Sequence, residues 1–172
     1  MKLTDVMKIL EEVAPLRYAE SWDNVGLLVG DPDAEIARVL VTVDYSGAVA
    51  EEARAKNAEL VVAYHPPMFA PMKRVPHAAL WADAVRRGIA LYSPHTALDV
   101  APDGTNDFLA DACGVVTGAK RRPLRAYASK PGMTEPEGIG AGRVGDVAPT
   151  RLGDLVKALK PALGLDYVLM AG

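Results

Sequence analysis

The chain has 172 residues, half of them apolar, enough to bury the core of one ordinary domain, or of one domain and part of a second. A formal charge of −3 excludes the basic footprint of a nucleic-acid binder. Its single cysteine, Cys113, excludes an internal disulfide framework.

In chain order, the opening segment Met-Lys-Leu-Thr-Asp lacks an apolar signal core, and no run reaches the roughly 18 apolar residues of a membrane span, so a cytoplasmic protein is expected. Val6, Ile9, Leu10 and Val13 recur at helical spacing, with Thr4 as the expected cap and Pro15 as the exit. The turn Trp22-Asp23-Asn24 leads into a short strand, Val25 to Val29. A second strand is predicted at Val39 to Val43, followed by a helix from Ser46 or Gly47 to Lys56-Asn57. Leu60 to Ala63 reads as a buried strand. After a loop over Pro66 to Pro76 comes a helix from Ala78 to Arg87, with Leu80, Trp81, Ala84 and Val85 facing inward and Gly88 as its stop. Ile89 to Tyr92 is the next strand, and the turn Asp103-Gly104-Thr105-Asn106 precedes a helix through Leu109 to Cys113, with Cys113 packed among Phe108, Leu109 and Ala112.

Strands separated by helices imply βαβ crossovers: an α/β fold with a mainly parallel or mixed sheet and flanking helices, followed by a partial second α/β unit. The expected domains are 1–115, an N-terminal metal-binding domain; 116–149, a Gly/Pro-rich loop or linker; and 150–172, the start of an incomplete second unit. In that last stretch Thr150 caps a helix ended by Pro161, and Leu165 to Met170 form a strand. The basic cluster Arg121, Arg122 and Arg125, with Lys120, reads as a solvated loop.

The chemistry concentrates where strands end. His65 follows the strand ending at Ala63, and Pro66 holds it extended. His95 follows the strand ending at Tyr92, and Asp99 lies four residues on. Ligands of open α/β sheets gather beyond the carboxyl ends of strands, and imidazole with carboxylate suits a divalent cation. Asp44, just past the Val39 to Val43 strand, is either a third acid or a helix cap. His77, after Pro76, reads as exposed and structural. Phosphate-loop and nucleophile-elbow motifs are absent.

Trp22-Asp-Asn-Val-Gly-Leu27, His65-Pro-Pro-Met-Phe69, His95-Thr-Ala-Leu-Asp99 and Gly104-Thr-Asn-Asp107 occur in this order. Together they resemble the Nif-three-like family, also called type 2 GTP cyclohydrolase I homologues, over residues 3–114 and again from Gly142-Arg-Val-Gly145 through the Thr150 helix. The resemblance implies two α/β domains around a dinuclear metal centre, assembly into homohexamers, and for eukaryotic members a part in transcriptional regulation through protein partners. It implies metal ligation by His65 and Asp99. Tyr64 stands where many members have another histidine, and the family's late histidine and glutamate ligands have no counterpart, since no histidine follows His95.

The expected function is therefore a metal-dependent hydrolase of the GTP cyclohydrolase type, with a divalent ion (zinc, iron, manganese or nickel) activating water on a small, nucleotide-like substrate. His95 is the candidate for proton transfer or for support of the ligands, and Tyr64 for orienting substrate. The alternative is a non-catalytic metal-binding scaffold or regulator of the same fold. Self-association is expected, and neither nucleic acid nor membrane is an expected partner.

Overall fold

The computed structural model describes residues 1–115, 121–128 and 138–170. The chain divides into two compact units, Met1–Leu98 and Asp99–Gly172. The sequence predicts divisions after residues 115 and 149, and part of that predicted linker, with Lys120, lies outside the described residues.

The first unit holds a four-stranded sheet in the order β1-β4-β3-β2: β1 Gly26–Val29, β2 Val39–Thr42, β3 Leu60–Ala63 and β4 Ala90–Ser93. β2, β3 and β4 run parallel, as the intervening helices α2 Gly47–Ala55 and α3 Leu80–Arg87 require. β1 joins β4 antiparallel, with an irregular step between Leu27 and Val29, so the sheet is mixed.

β3 is buried on both faces, and its alternation sorts the core. Val61 and Ala63 pack with Ala53, Ala84 and Leu91 on the α2/α3 side. Leu60 and Val62 pack with Leu3, Val6 and Tyr92 under α1, Leu3–Val13. Each fully buried Leu or Val contributes about 1.5–3 kcal/mol, so this strand anchors the unit. β2 is an edge strand, and Val41 on it is 76% exposed, with Val39 and Val43 also at the surface.

Several local expectations are corrected. Thr4 does not cap α1; Lys2 holds that position, and Thr4 Oγ1 donates to the carbonyl of Pro32 at 2.7 Å. The returning segment around Ala34 accepts from Leu3 N, so a distant stretch of chain satisfies the first turn. In α3 Ala84 is buried and Trp81 packs against the core as expected, with Ala82 buried as well, while Leu80 and Val85 are exposed. Ser46 does cap α2, its side chain accepting from Val49 N, and Gly88 closes α3 in the left-handed conformation.

Gly30, which ends β1, has φ +130°, and a Cβ there would stand 2.7 Å from Ala90 Cβ. Gly30→Ala is expected to cost about 3 kcal/mol through strain and overpacking together. A denaturant midpoint unchanged from the parent would refute this.

Helix α4, His95–Val100, runs across the boundary between units. The second unit contains α5 Thr105–Ala112, the two-stranded pair β5 Arg125–Ala126 and β6 Gly140–Ala141, and α6 Leu152–Leu163. Pro161 lies inside α6 and does not end it; left-handed Gly164 does, and Arg151, not Thr150, is its N-cap. Residues 165–170 form no strand, because a strand needs a partner ladder and they pair with none of the described residues. Phe108 and Leu109 are exposed and Cys113 is half-buried, so the packed cysteine expected on α5 is not seen.

Arg121 also departs from the solvated-loop reading. Its side chain is 9% exposed and donates to the Val115 carbonyl and to the Asp111 carboxylate, each at 2.5 Å. Arg143, 5% exposed, grips Asp107 with two bonds of 2.7 Å. Arg122 and Arg125 are exposed as expected. Among the described residues, no helix is long and apolar enough to cross a membrane.

Candidate functional site

The β2–β3 pairing does not stop with the strands. Tyr64 N donates to the Thr42 carbonyl at 2.9 Å and His65 N to the Val43 carbonyl at 3.0 Å. Two parallel strands extended by one step bring the residue after Val43 beside His65. That residue is Asp44, and its Oδ1 lies 2.8 Å from His65 Nδ1. Asp44 is thus a partner of the histidine, while Ser46 takes the helix-capping role.

β4 is tied to the same edge. Ser93, fully buried, donates from Oγ to the Tyr64 carbonyl at 2.8 Å. Two residues later His95 opens α4 with φ +30°, a region that L residues rarely occupy and that costs of order 1–3 kcal/mol unless its surroundings impose it.

Asp23 imposes it. Its side chain is fully buried, with Oδ1 2.8 Å and Oδ2 2.9 Å from His95 Nδ1. The same carboxylate accepts from Thr96 N at 3.2 Å, from the Thr96 hydroxyl in a very short bond, and from Asn24 N at 2.8 Å. Burial alone would push this carboxyl up. The bonds from Thr96, His95 and Asn24 outweigh it and hold the group below the ordinary aspartate range.

The two imidazoles stand edge to face with centroids 5.5 Å apart, and the Tyr64 ring lies 4.8 Å from His65 and 5.6 Å from His95. An imidazole centroid sits about 3 Å from an ion it ligates through a bond of ~2.0–2.1 Å, so two rings on one tetrahedral ion stand about 5 Å apart. The observed spacing fits. Each ring also has Nδ1 on a carboxylate, an arrangement that fixes the ring and could leave Nε2 to a ligand. Both carboxylates are engaged by the rings, and among the described residues no three His, Cys, Asp or Glu side chains form a metal-binding group.

Of the residues singled out from sequence, His65, His95 and Tyr64 meet at one edge of the first unit. Asp99 falls in the second, where Thr105 Oγ1 donates to its carboxylate at 2.8 Å. His77 is exposed. Asp23 is the residue that sequence reasoning passed over, because Trp22-Asp23-Asn24 read as a turn with an aromatic anchor. Only a contact 72 residues distant reveals its role.

A family model described as Duf34/NIF3 (NGG1p interacting factor 3) matches residues 1–172. NIF3-like protein 1 of Drosophila melanogaster is 42% identical over 149 residues, covering 83% of this chain and 48% of that protein. A GTP cyclohydrolase 1 type 2 homolog of Lactococcus lactis is 34% identical, over 96% of this chain and 61% of the relative. The crystal structure of a Staphylococcus aureus hypothetical protein superposes with a TM-score of 0.83 at 25% identity, over 97% of this chain and 66% of that one. The chain spans about half the length of the curated relatives it matches.

Proposed function

The chain belongs to the Duf34/NIF3 family, and from that premise we propose that it carries part of the site of a metal-dependent hydrolase acting on a small, nucleotide-like substrate. The reading rests on one observation: two imidazoles 5.5 Å apart at the sheet edge, each braced at Nδ1 by its own carboxylate. His65 and His95 would offer Nε2 to a divalent cation, and Asp99 is the third ligand we propose, on the family resemblance alone.

When bound, such a cation lowers the pKa of its water to about 7 and so supplies hydroxide at neutral pH. The residues do the rest. Asp44 and Asp23 fix the tautomer and aim of the rings. Tyr64, against both imidazoles, orients the substrate, and His95 holds its proton at Nδ1 against the Asp23 carboxylate.

Elemental analysis of chain purified without chelator tests this, with about one divalent ion or more per chain expected. His65→Ala should lower metal affinity more than 100-fold, beyond the ~10–100-fold that losing an outer partner costs. Metal content indifferent to that change would overturn the assignment. The second reading, a non-catalytic scaffold, is favoured by the lack of a three-donor group among the described residues, and a metal-free chain would support it.

A further inference from the structure

Trp22 and Phe69 are large aromatic side chains left in the open, 60% and 53% exposed, although they come from segments 47 residues apart and meet with ring centroids 6.0 Å apart. Their meeting is built, not incidental. The Asn24 side-chain amide donates to the Met68 carbonyl at 2.6 Å, pinning the loop after His65 to the turn that carries Trp22. Asp23, between them, holds His95, and the Trp22 ring stands edge-on to His95 at 6.5 Å.

The two rings border a cavity of about 490 Å³, lined also by Met68, Met72 and Trp81, all within the first unit. That volume is in the range of small-molecule sites, which are mostly apolar and aromatic with a few placed polar groups. Asp23 and Asn24 also line it, with the Asp23 carboxylate committed to His95 and Thr96 and the Asn24 amide donating to the Met68 carbonyl, so they shape the wall.

We propose that this cavity is the subsite for a planar heteroaromatic ring of the substrate, stacked on Trp22 and Phe69, with the reacting end of the molecule reaching His95 and His65. The proposal rests on the hydrolase reading above and adds the recognition element to it. A flat ring suits the lining because aromatic faces and thioether sulfur both favour π surfaces over aliphatic ones. An edge-on imidazole at one side then sets which end of the ring-bearing molecule meets the site.

The test is equilibrium binding of GMP and of nicotinamide mononucleotide, two ring-bearing phosphates, against ribose 5-phosphate as the ringless control. Both ring compounds should bind, and the control should bind at least tenfold more weakly. Trp22→Ala should weaken the ring compounds about 5- to 150-fold, the range for losing one stacked base. Trp22→Phe should keep most of the affinity, which separates stacking from loss of fold. Equal binding of GMP and ribose 5-phosphate, binding of neither ring compound at millimolar concentration, or an unaffected Trp22→Ala variant would each overturn the ring site.

Metal content is measured on the same samples. Ring binding intact in a metal-free parent chain sinks the hydrolase reading and leaves the subsite. Metal retained without ring binding does the reverse.

Discussion

Asp23→Ala is expected to lower the thermal midpoint of the chain by about 6–12 °C, on the scale of ~2–4 °C per kcal/mol for a chain of this size. The basis is the set of donors this carboxylate serves: His95 Nδ1, Thr96 N, the Thr96 hydroxyl and Asn24 N. With the acceptor gone and the site buried, each stranded donor costs about 1–3 kcal/mol, and partial relaxation brings the sum to roughly 3 kcal/mol. At the metal site proposed above, affinity should fall with it by about 10–100-fold, because the His95 ring loses the bond that aims it. Asp23→Asn should sit between, since an amide accepts at one atom only and presents donors to Thr96 or His95 at the other. Calorimetry and metal titration on the two variants check this. A midpoint within 2 °C of the parent would show that Asp23 does not hold the site.

In the second unit, Arg143→Met is the next most damaging substitution, at about 3 kcal/mol. It removes the main partner of a buried pair and leaves the Asp107 carboxylate, 16% exposed, with the Asp103 N bond at 3.1 Å and the longer contact to Arg121 at 3.5 Å. Replacing both partners, Arg143→Met with Asp107→Leu, should recover most of the loss, because the uncompensated charge is then gone.

The same pair sets an acid limit. The Arg143 hydrogen bond, against the opposing effect of burial, holds the Asp107 carboxyl below its ordinary value. The unfolded chain therefore takes up this proton first. Stability from the pair is complete above the unfolded pKa of about 3.9 and drains away as pH falls through the lower, folded value. Denaturation curves between pH 6 and 2 should show a shallower acid slope in the double variant than in the parent.

What could be read in advance follows the reach of each interaction. Leu60–Ala63 is legible because four consecutive apolar residues between turn signals have no other stable home, and the structure keeps those bounds. Gly88 and Ser46 act through their immediate neighbours and are found where local chemistry puts them. Thr4 misleads because the first turn of α1 is satisfied by Pro32 and Ala34, far along the chain. Arg121 misleads for the same reason: a run of arginines looks solvated until Asp111 and the Val115 carbonyl come round to meet it.

At the site, His65 and His95 announce themselves by residue type at strand ends, and Tyr64 by lying next to one of them. The support beneath them does not. The Asp44–His65 bond depends on strand register, and the hold of Asp23 on His95 depends on tertiary folding, neither of which a linear pattern encodes. The motif containing Asp23 was visible as a string, but its chemistry was not.

The fully buried Asp23 carboxylate has a thermodynamic corollary. A single anion both seats the start of α4 and steers an imidazole, so occupancy of that ring and integrity of the surrounding fold are one linked equilibrium. Any solute gripping only the folded arrangement adds about 2.7 kcal/mol of apparent stability at a hundredfold excess over its dissociation constant. For the metal site proposed above, a melting curve run against a panel of ions would double as an affinity scale, and chelation would register as softening.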